Sequence, residues 1–118
     1  MEPIFLHDWS ESGLEGMCKD FEILPNQLAG SNILLASYTY EYYSGSAFVL
    51  FQTDGKLFEV NGSHCSCYGL EDQWEPEETS IEALCHRVTV GKFGRNLDKD
   101  EFGNDLLGVL NKLKEAIQ

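Results

Sequence analysis

Four cysteines and three histidines are the side chains in this chain best suited to covalent or metal chemistry, and most of them fall in two places. Asn61-Gly62-Ser63-His64-Cys65-Ser66-Cys67-Tyr68-Gly69 sets a histidine and two thiols among turn-forming residues, and Cys85-His86 follows further along. In an extended strand, residues two apart point to one side, so Cys65 and Cys67 present both sulfurs together and His64 opposes them. Two thiolates are half of a tetrahedral zinc site, and Cys85 and His86 are the candidates for the other two ligands. Against this, the Cys65–Cys67 separation is shorter than the two to four intervening residues of ordinary zinc modules. Adjacent helical residues also diverge by roughly 100°, so Cys85 and His86 converge only on a distorted or terminating helix. A thiol enzyme is a further reading, with His64 or His86 lowering a cysteine pKa, but the neighbouring carboxylates act the other way. The reading the spacing favours is structural, with small buried thiols filling a corner and His64 at the surface or hydrogen-bonded.

The elements that must hold this stretch are legible on both sides of it. Leu34, Ala36, Tyr38, Tyr40 and Tyr42 alternate with Ile33, Leu35, Ser37, Thr39, Glu41 and Tyr43, which predicts a strand from Asn32. A corner at Ser44-Gly45-Ser46 leads into Ala47-Phe48-Val49-Leu50-Phe51, an apolar run suited to a strand buried on both faces. Asp54-Gly55 is a strong hairpin signal, and Lys56–Val60 forms the third strand. Asn61-Gly62 repeats the turn chemistry, so Ser63–Cys67 is expected to return as a fourth strand.

Helices flank the strands. Leu14, Met17, Cys18, Phe21 and Leu24 make an apolar stripe on a helix beginning near Ser12 and ended by Pro25, with Cys18 as a small buried residue. Thr79-Ser80-Ile81-Glu82 reads as a capping box for a short helix carrying Ile81, Leu84, Cys85 and Val88. Thr89–Asn96 is ambiguous, since Gly91 and Gly94 favour a loop over a strand. Asp98 is the expected cap of the last helix, whose stripe runs through Phe102, Leu106, Val109, Leu110, Leu113 and Ile117. The expected fold is one α+β domain spanning 1–118, an antiparallel β-meander of about four strands packed on two to three helices, including a C-terminal amphipathic helix.

Charge carries the functional signal. Twenty acidic against eight basic residues give a formal charge of −12, which disfavours direct contact with nucleic acid and with anionic membranes. No lysine or arginine lies between Lys56 and Arg87, while Glu59, Glu71, Asp72, Glu75, Glu77, Glu78 and Glu82 all do. The run from Glu71 to Glu78 has no core-forming period and is read as a loop, with Trp74 either plugging it into the core or marking a contact surface. No phosphate-binding glycine loop, zinc-protease helix or serine nucleophile elbow is present. The start of the chain has neither the basic region nor the apolar core of a secretory signal, and no run reaches the roughly 20 apolar residues of a membrane span. A cytoplasmic protein with reduced thiols is expected.

The segment Leu57-Phe58-Glu59-Val60-Asn61-Gly62-Ser63-His64-Cys65-Ser66-Cys67-Tyr68-Gly69-Leu70-Glu71, with Gln73-Trp74-Glu75-Pro76-Glu77-Glu78-Thr79 after it, resembles a group of small uncharacterised proteins of phages and bacteria. The resemblance covers Leu34 to Arg87 and brings no activity or site residue with it. It implies a setting, that of small acidic phage proteins which block a host protein from within the host cytoplasm. The expectation is therefore a non-enzymatic binding protein that inhibits a host defence complex, of anti-CRISPR or similar anti-defence type. Glu71, Asp72, Trp74, Glu75, Glu77, Glu78 and Glu82 would meet a basic host-protein surface. A small zinc-binding domain holding metal through Cys65, Cys67, Cys85 and His86 is the alternative, and a thiol-dependent enzyme the weaker one.

Overall fold

The computed structural model describes residues 2–41, 44–64, 69–96 and 99–117. The chain is α+β and divides into two compact units, residues 1–78 and 79–118. The first unit is built on a sheet in the order β1 (Ile4–His7), β2 (Asn32–Glu41), β3 (Ser44–Thr53), β4 (Lys56–His64), β5 (Glu77–Thr79), the last strand ending at the boundary between the units.

The central meander follows from the turn chemistry. Thr53 pairs with Lys56 across Asp54-Gly55, and both turn residues have positive φ, 53° and 77°, the conformation of a primed two-residue turn. Ala47, Phe48, Val49, Leu50 and Phe51 are all buried, so β3 is covered on both faces. Two corrections apply to the turns of the meander. Ser44, Gly45 and Ser46 are not a corner but paired residues of β3, opposite Glu41, Tyr40 and Thr39. Asn61-Gly62 is not a turn, because β4 runs through it to His64, opposite Gly45. The predicted fourth strand falls mostly on residues 65–68, outside the described residues. The strand alternation also breaks: the β2–β3 register shifts between Ile33 and Leu35. A bulge of this kind moves following side chains to the other face. Ile33 therefore joins Ala36 and Tyr38 in the core cluster, not Leu35 and Ser37 as simple alternation predicts.

β1 is an element the sequence reading lacks. It pairs in parallel with β2, Ile4 opposite Leu35 and His7 opposite Tyr38, and such a pairing needs a crossover. The helix α1 (Gly13–Phe21) supplies it, starting at the predicted place with Ser12 as the preceding cap residue. Met17, Cys18 and Phe21 bury against one sheet face with Trp9, Leu28, Ile33, Val49, Phe51, Val60 and Leu70. Trp9 Nε1 donates to Asp20 Oδ2 at 2.8 Å, satisfying the indole N–H of a ring that is almost wholly buried. The outer members of the predicted stripe, Leu14 and Leu24, are exposed instead. The helix stops at Phe21, before Pro25, because Glu22 takes the left-handed conformation (φ 56°). Its N–H donates to Lys19 O and that of Ile23 to Cys18 O, the Schellman pattern. Pro25–Leu28 then forms a single 3-10 turn.

The second unit holds α2 (Ile81–Thr89), a two-stranded antiparallel ribbon of β6 (Arg95–Asn96) and β7 (Lys99–Asp100), and α3 (Gly103–Ile117). Ser80, not Thr79, caps α2, its hydroxyl accepting from the Ala83 N–H, because Thr79 is drawn into β5. Asp98 lies outside the described residues, and the helix it was expected to cap starts later: Lys99 and Asp100 are in β7, and Phe102 O accepts the Leu106 N–H at the head of α3. The α3 stripe is as expected, with Phe102, Leu106, Val109, Leu110 and Leu113 buried.

Candidate functional site

Three side chains anchor the segment after residue 68, and Gln73 is the first. The Gln73 carboxamide lies against β4 and acts as a short substitute strand. Its Oε1 accepts the Ser63 N–H at 2.8 Å, and its Nε2 donates to Ser63 O at 2.6 Å and to Gly69 O at 2.7 Å. A carboxamide offers an acceptor and donors side by side, matching a backbone N–H and C=O at once. Leu70, 1% exposed, plugs the same segment into the core, where an added Cβ on Gly62 would stand 3.1 Å from Leu70 Cδ2 and 3.4 Å from a Phe21 ring carbon. A side chain at Gly62 would thus crowd the loop where it approaches the strand.

Trp74 is the third anchor. Its ring stacks on Phe51 (14° between planes, centroids 5.8 Å apart) and meets Phe21 edge-on at 5.1 Å. Phe51 stacks in turn on its cross-strand partner Phe58. Trp74 remains only partly buried, so it both plugs the loop and leaves part of its surface accessible.

Two clefts flank this loop. One, of about 530 Å³, is lined by Phe21, Ile23 and Trp74 together with Glu22, Gln27, Asp72 and Glu75. The second, of about 520 Å³, is lined by Lys19, Asp20, Tyr38, His64 and Leu70 among others. Glu22 and Glu71 line both. His64 is half-buried there, its ring edge-on to Tyr38 with centroids 6.4 Å apart, so it belongs to the cleft and not to an outward surface.

The predicted acidic contact residues therefore separate into groups. Glu71, Asp72, Trp74 and Glu75 come together at one cleft, with Asp72 and Glu75 exposed and Glu71 half-buried, its Oε1 accepting the Gly69 N–H at 3.1 Å. Glu77 and Glu78 are not loop residues. They are exposed on strand β5, and Glu78 faces Lys56 at 4.0 Å. Glu82 is exposed in the first turn of α2, in the second unit. Sequence reasoning missed Glu22, whose only signal was an acidic residue just past the last turn of a helix, where the dipole favours a cation.

Of the proposed zinc ligands, Cys65 and Cys67 lie outside the described residues. Cys85 is half-buried and His86 exposed on α2, which continues in regular form to Thr89, so the distortion that would let both converge is not there. Among the described residues no three histidine, cysteine or carboxylate side chains are grouped as a metal would require. Cys18 is buried in the first unit, and desolvation raises its thiol pKa from 9.0, which keeps it protonated and unreactive near neutrality. Among the described residues, no helix is long and apolar enough to cross a membrane. No family model, curated protein or solved structure matches the chain.

Proposed function

We propose that this is a non-enzymatic binding protein that docks on a basic surface of a partner protein through the loop around Trp74. The observation that carries the reading is the gathering of Glu22, Glu71, Asp72 and Glu75 about a partly accessible tryptophan, on a loop fixed by Gln73 and Leu70. A charged rim around an aromatic anchor is the usual anatomy of a protein contact. An ordered loop loses little entropy on docking, and the net charge of −12 steers it toward basic surfaces. Glu77 and Glu78, exposed on β5, extend the acidic character of this unit beyond the cleft. With the resemblance to small phage proteins, these features support inhibition of a host defence complex that itself holds nucleic acid on basic residues, as an anti-CRISPR or related anti-defence protein does.

The test is capture of a partner from a bacterial host lysate at moderate salt. Wild type is compared with a variant in which Glu71, Asp72, Glu75, Glu77 and Glu78 are replaced by their amides. Loss of a nucleic-acid-binding partner with the variant, and displacement of that partner's nucleic acid by wild type, are the expected results. Equal capture by both proteins would overturn the reading.

A further inference from the structure

We propose that the Gln73 side chain guards the edge of the sheet, occupying backbone groups of β4 that would otherwise pair with β4 of a second copy of this chain. Ser63 lies opposite Ser46 of β3, yet its N–H and its carbonyl are both bound by the Gln73 carboxamide, at 2.8 and 2.6 Å. In an antiparallel pair, alternate residues turn both groups away from the partner strand, so these two groups of Ser63 face outward from the sheet. β4 has nine residues, whereas β5, the strand on its outer side, has three. A three-residue strand is too short to cover all of β4, and at Ser63 a side chain stands in.

Outward N–H and C=O groups of a strand are a template for a further chain. Symmetry and charge single out a second copy as the occupant. A strand that pairs antiparallel with its own copy does so about a two-fold axis, with the same groups on both sides. A net charge of −12 sets two copies against each other in general, but Val60-Asn61-Gly62-Ser63-His64 carries no carboxylate, so self-pairing centred there sets no like charges opposite each other.

The guard is held from its own loop. Gln73 Nε2 also donates to Gly69 O at 2.7 Å, and Leu70, three residues before Gln73, is buried in the core. A carboxamide suits the position because it satisfies one N–H and one C=O and then ends, offering no ladder for another strand to continue.

The test uses the full chain with Gln73→Ala and, to keep the bulk of the side chain while removing its polar contacts, Gln73→Met. Each is followed by sedimentation velocity and by hydrogen exchange at the Ser63 amide over a range of protein concentrations at physiological ionic strength. Wild type is expected to stay monomeric, with Ser63 exchange independent of concentration. Both variants are expected to move toward twice the monomer mass at about 0.1 mM, with Ser63 exchange fast when dilute and slowed about tenfold when concentrated. Adding Ser63→Lys, which places a charge at an exposed position in the middle of the join, should return both variants to monomers. Variants that stay monomeric at that concentration, a wild type that dimerises equally, or association that survives Ser63→Lys unchanged would overturn the edge guard.

Discussion

Replacing Gln73 should release the loop that carries Trp74. Gln73→Ala removes three hydrogen bonds, two to Ser63 and one to Gly69. A hydrogen bond is worth a net of about 0.5–1.5 kcal/mol, and Ser63 is exposed, so water takes over part of what is lost; the low end of the range, summed over three bonds, gives about 1.5–2 kcal/mol. Gln73→Glu is the sharper variant. It keeps an acceptor for the Ser63 N–H but turns a carboxylate oxygen toward two carbonyl oxygens that had accepted from Nε2. Those contacts raise the pKa of the new carboxyl above the ordinary glutamate value of about 4.3. A raised folded pKa means that the variant's stability is retained below the unfolded value and lost as pH rises through the folded one. Near neutral pH, Gln73→Glu should therefore be less stable than Gln73→Ala, and the order should reverse on acidification, when the protonated acid can donate. Urea denaturation followed by tryptophan fluorescence gives the stabilities. Hydrogen exchange at the Ser63 amide reports detachment of the loop short of global unfolding. If Gln73→Ala stays within about 0.3 kcal/mol of wild type with Ser63 still protected, or Gln73→Glu matches wild type at neutral pH, the latch does not hold the loop.

Other substitutions test the surrounding geometry. Glu22→Gly should raise stability by about 0.5–1 kcal/mol in thermal unfolding, by relieving left-handed strain at the end of α1, while weakening partner capture. Gly62→Ala should destabilise by about 1 kcal/mol or more in urea, since the packed Leu70 side chain, 1% exposed, must shift by a few tenths of an ångström to admit the new methyl. For Cys18, the raised folded pKa makes its stabilisation complete below the unfolded value, near 9, and progressively lost as pH rises above it; Cys18→Ala should therefore flatten the alkaline side of a stability–pH curve. Ser80→Ala should cost about 1 kcal/mol by removing the bond to the Ala83 N–H at the start of α2.

The meander was legible because its determinants are local. Asp54-Gly55 fixes one hairpin by itself, and the apolar run of β3 needs no partner to be recognised. The helical stripes of α1 and α3 were legible for the same reason, and the chance that Trp74 plugs its loop followed from its size among polar neighbours. What escaped depends on residues distant in sequence. β1 is a four-residue strand whose pairing with β2 exists only once α1 has crossed over. Gly62 looked like turn chemistry because nothing local announces that Leu70 will lie against it. Thr79 and Ser80 both suit a cap, and the choice fell to Ser80 once β5 recruited Thr79. At the site, the carboxylates of the loop were visible as charge. Glu22 joins them only through the placement of α1, and the latch at Gln73 depends on a register that no spacing rule contains.

The parallel strand β1 also bears on how the chain reaches its native state. Thr53 and Lys56 meet across a minimal loop, whereas Ile4 must find Leu35, a closure with a larger entropic cost. The hairpins of the meander should therefore form early and β1 late. During synthesis, β1 emerges before β2 and must wait for it, and until the two pair the β2 edge stands open to pairing with another chain. The aromatic and aliphatic residues gathered between α1 and the sheet would then serve as the clasp that draws the N-terminal segment onto that edge before a second molecule does.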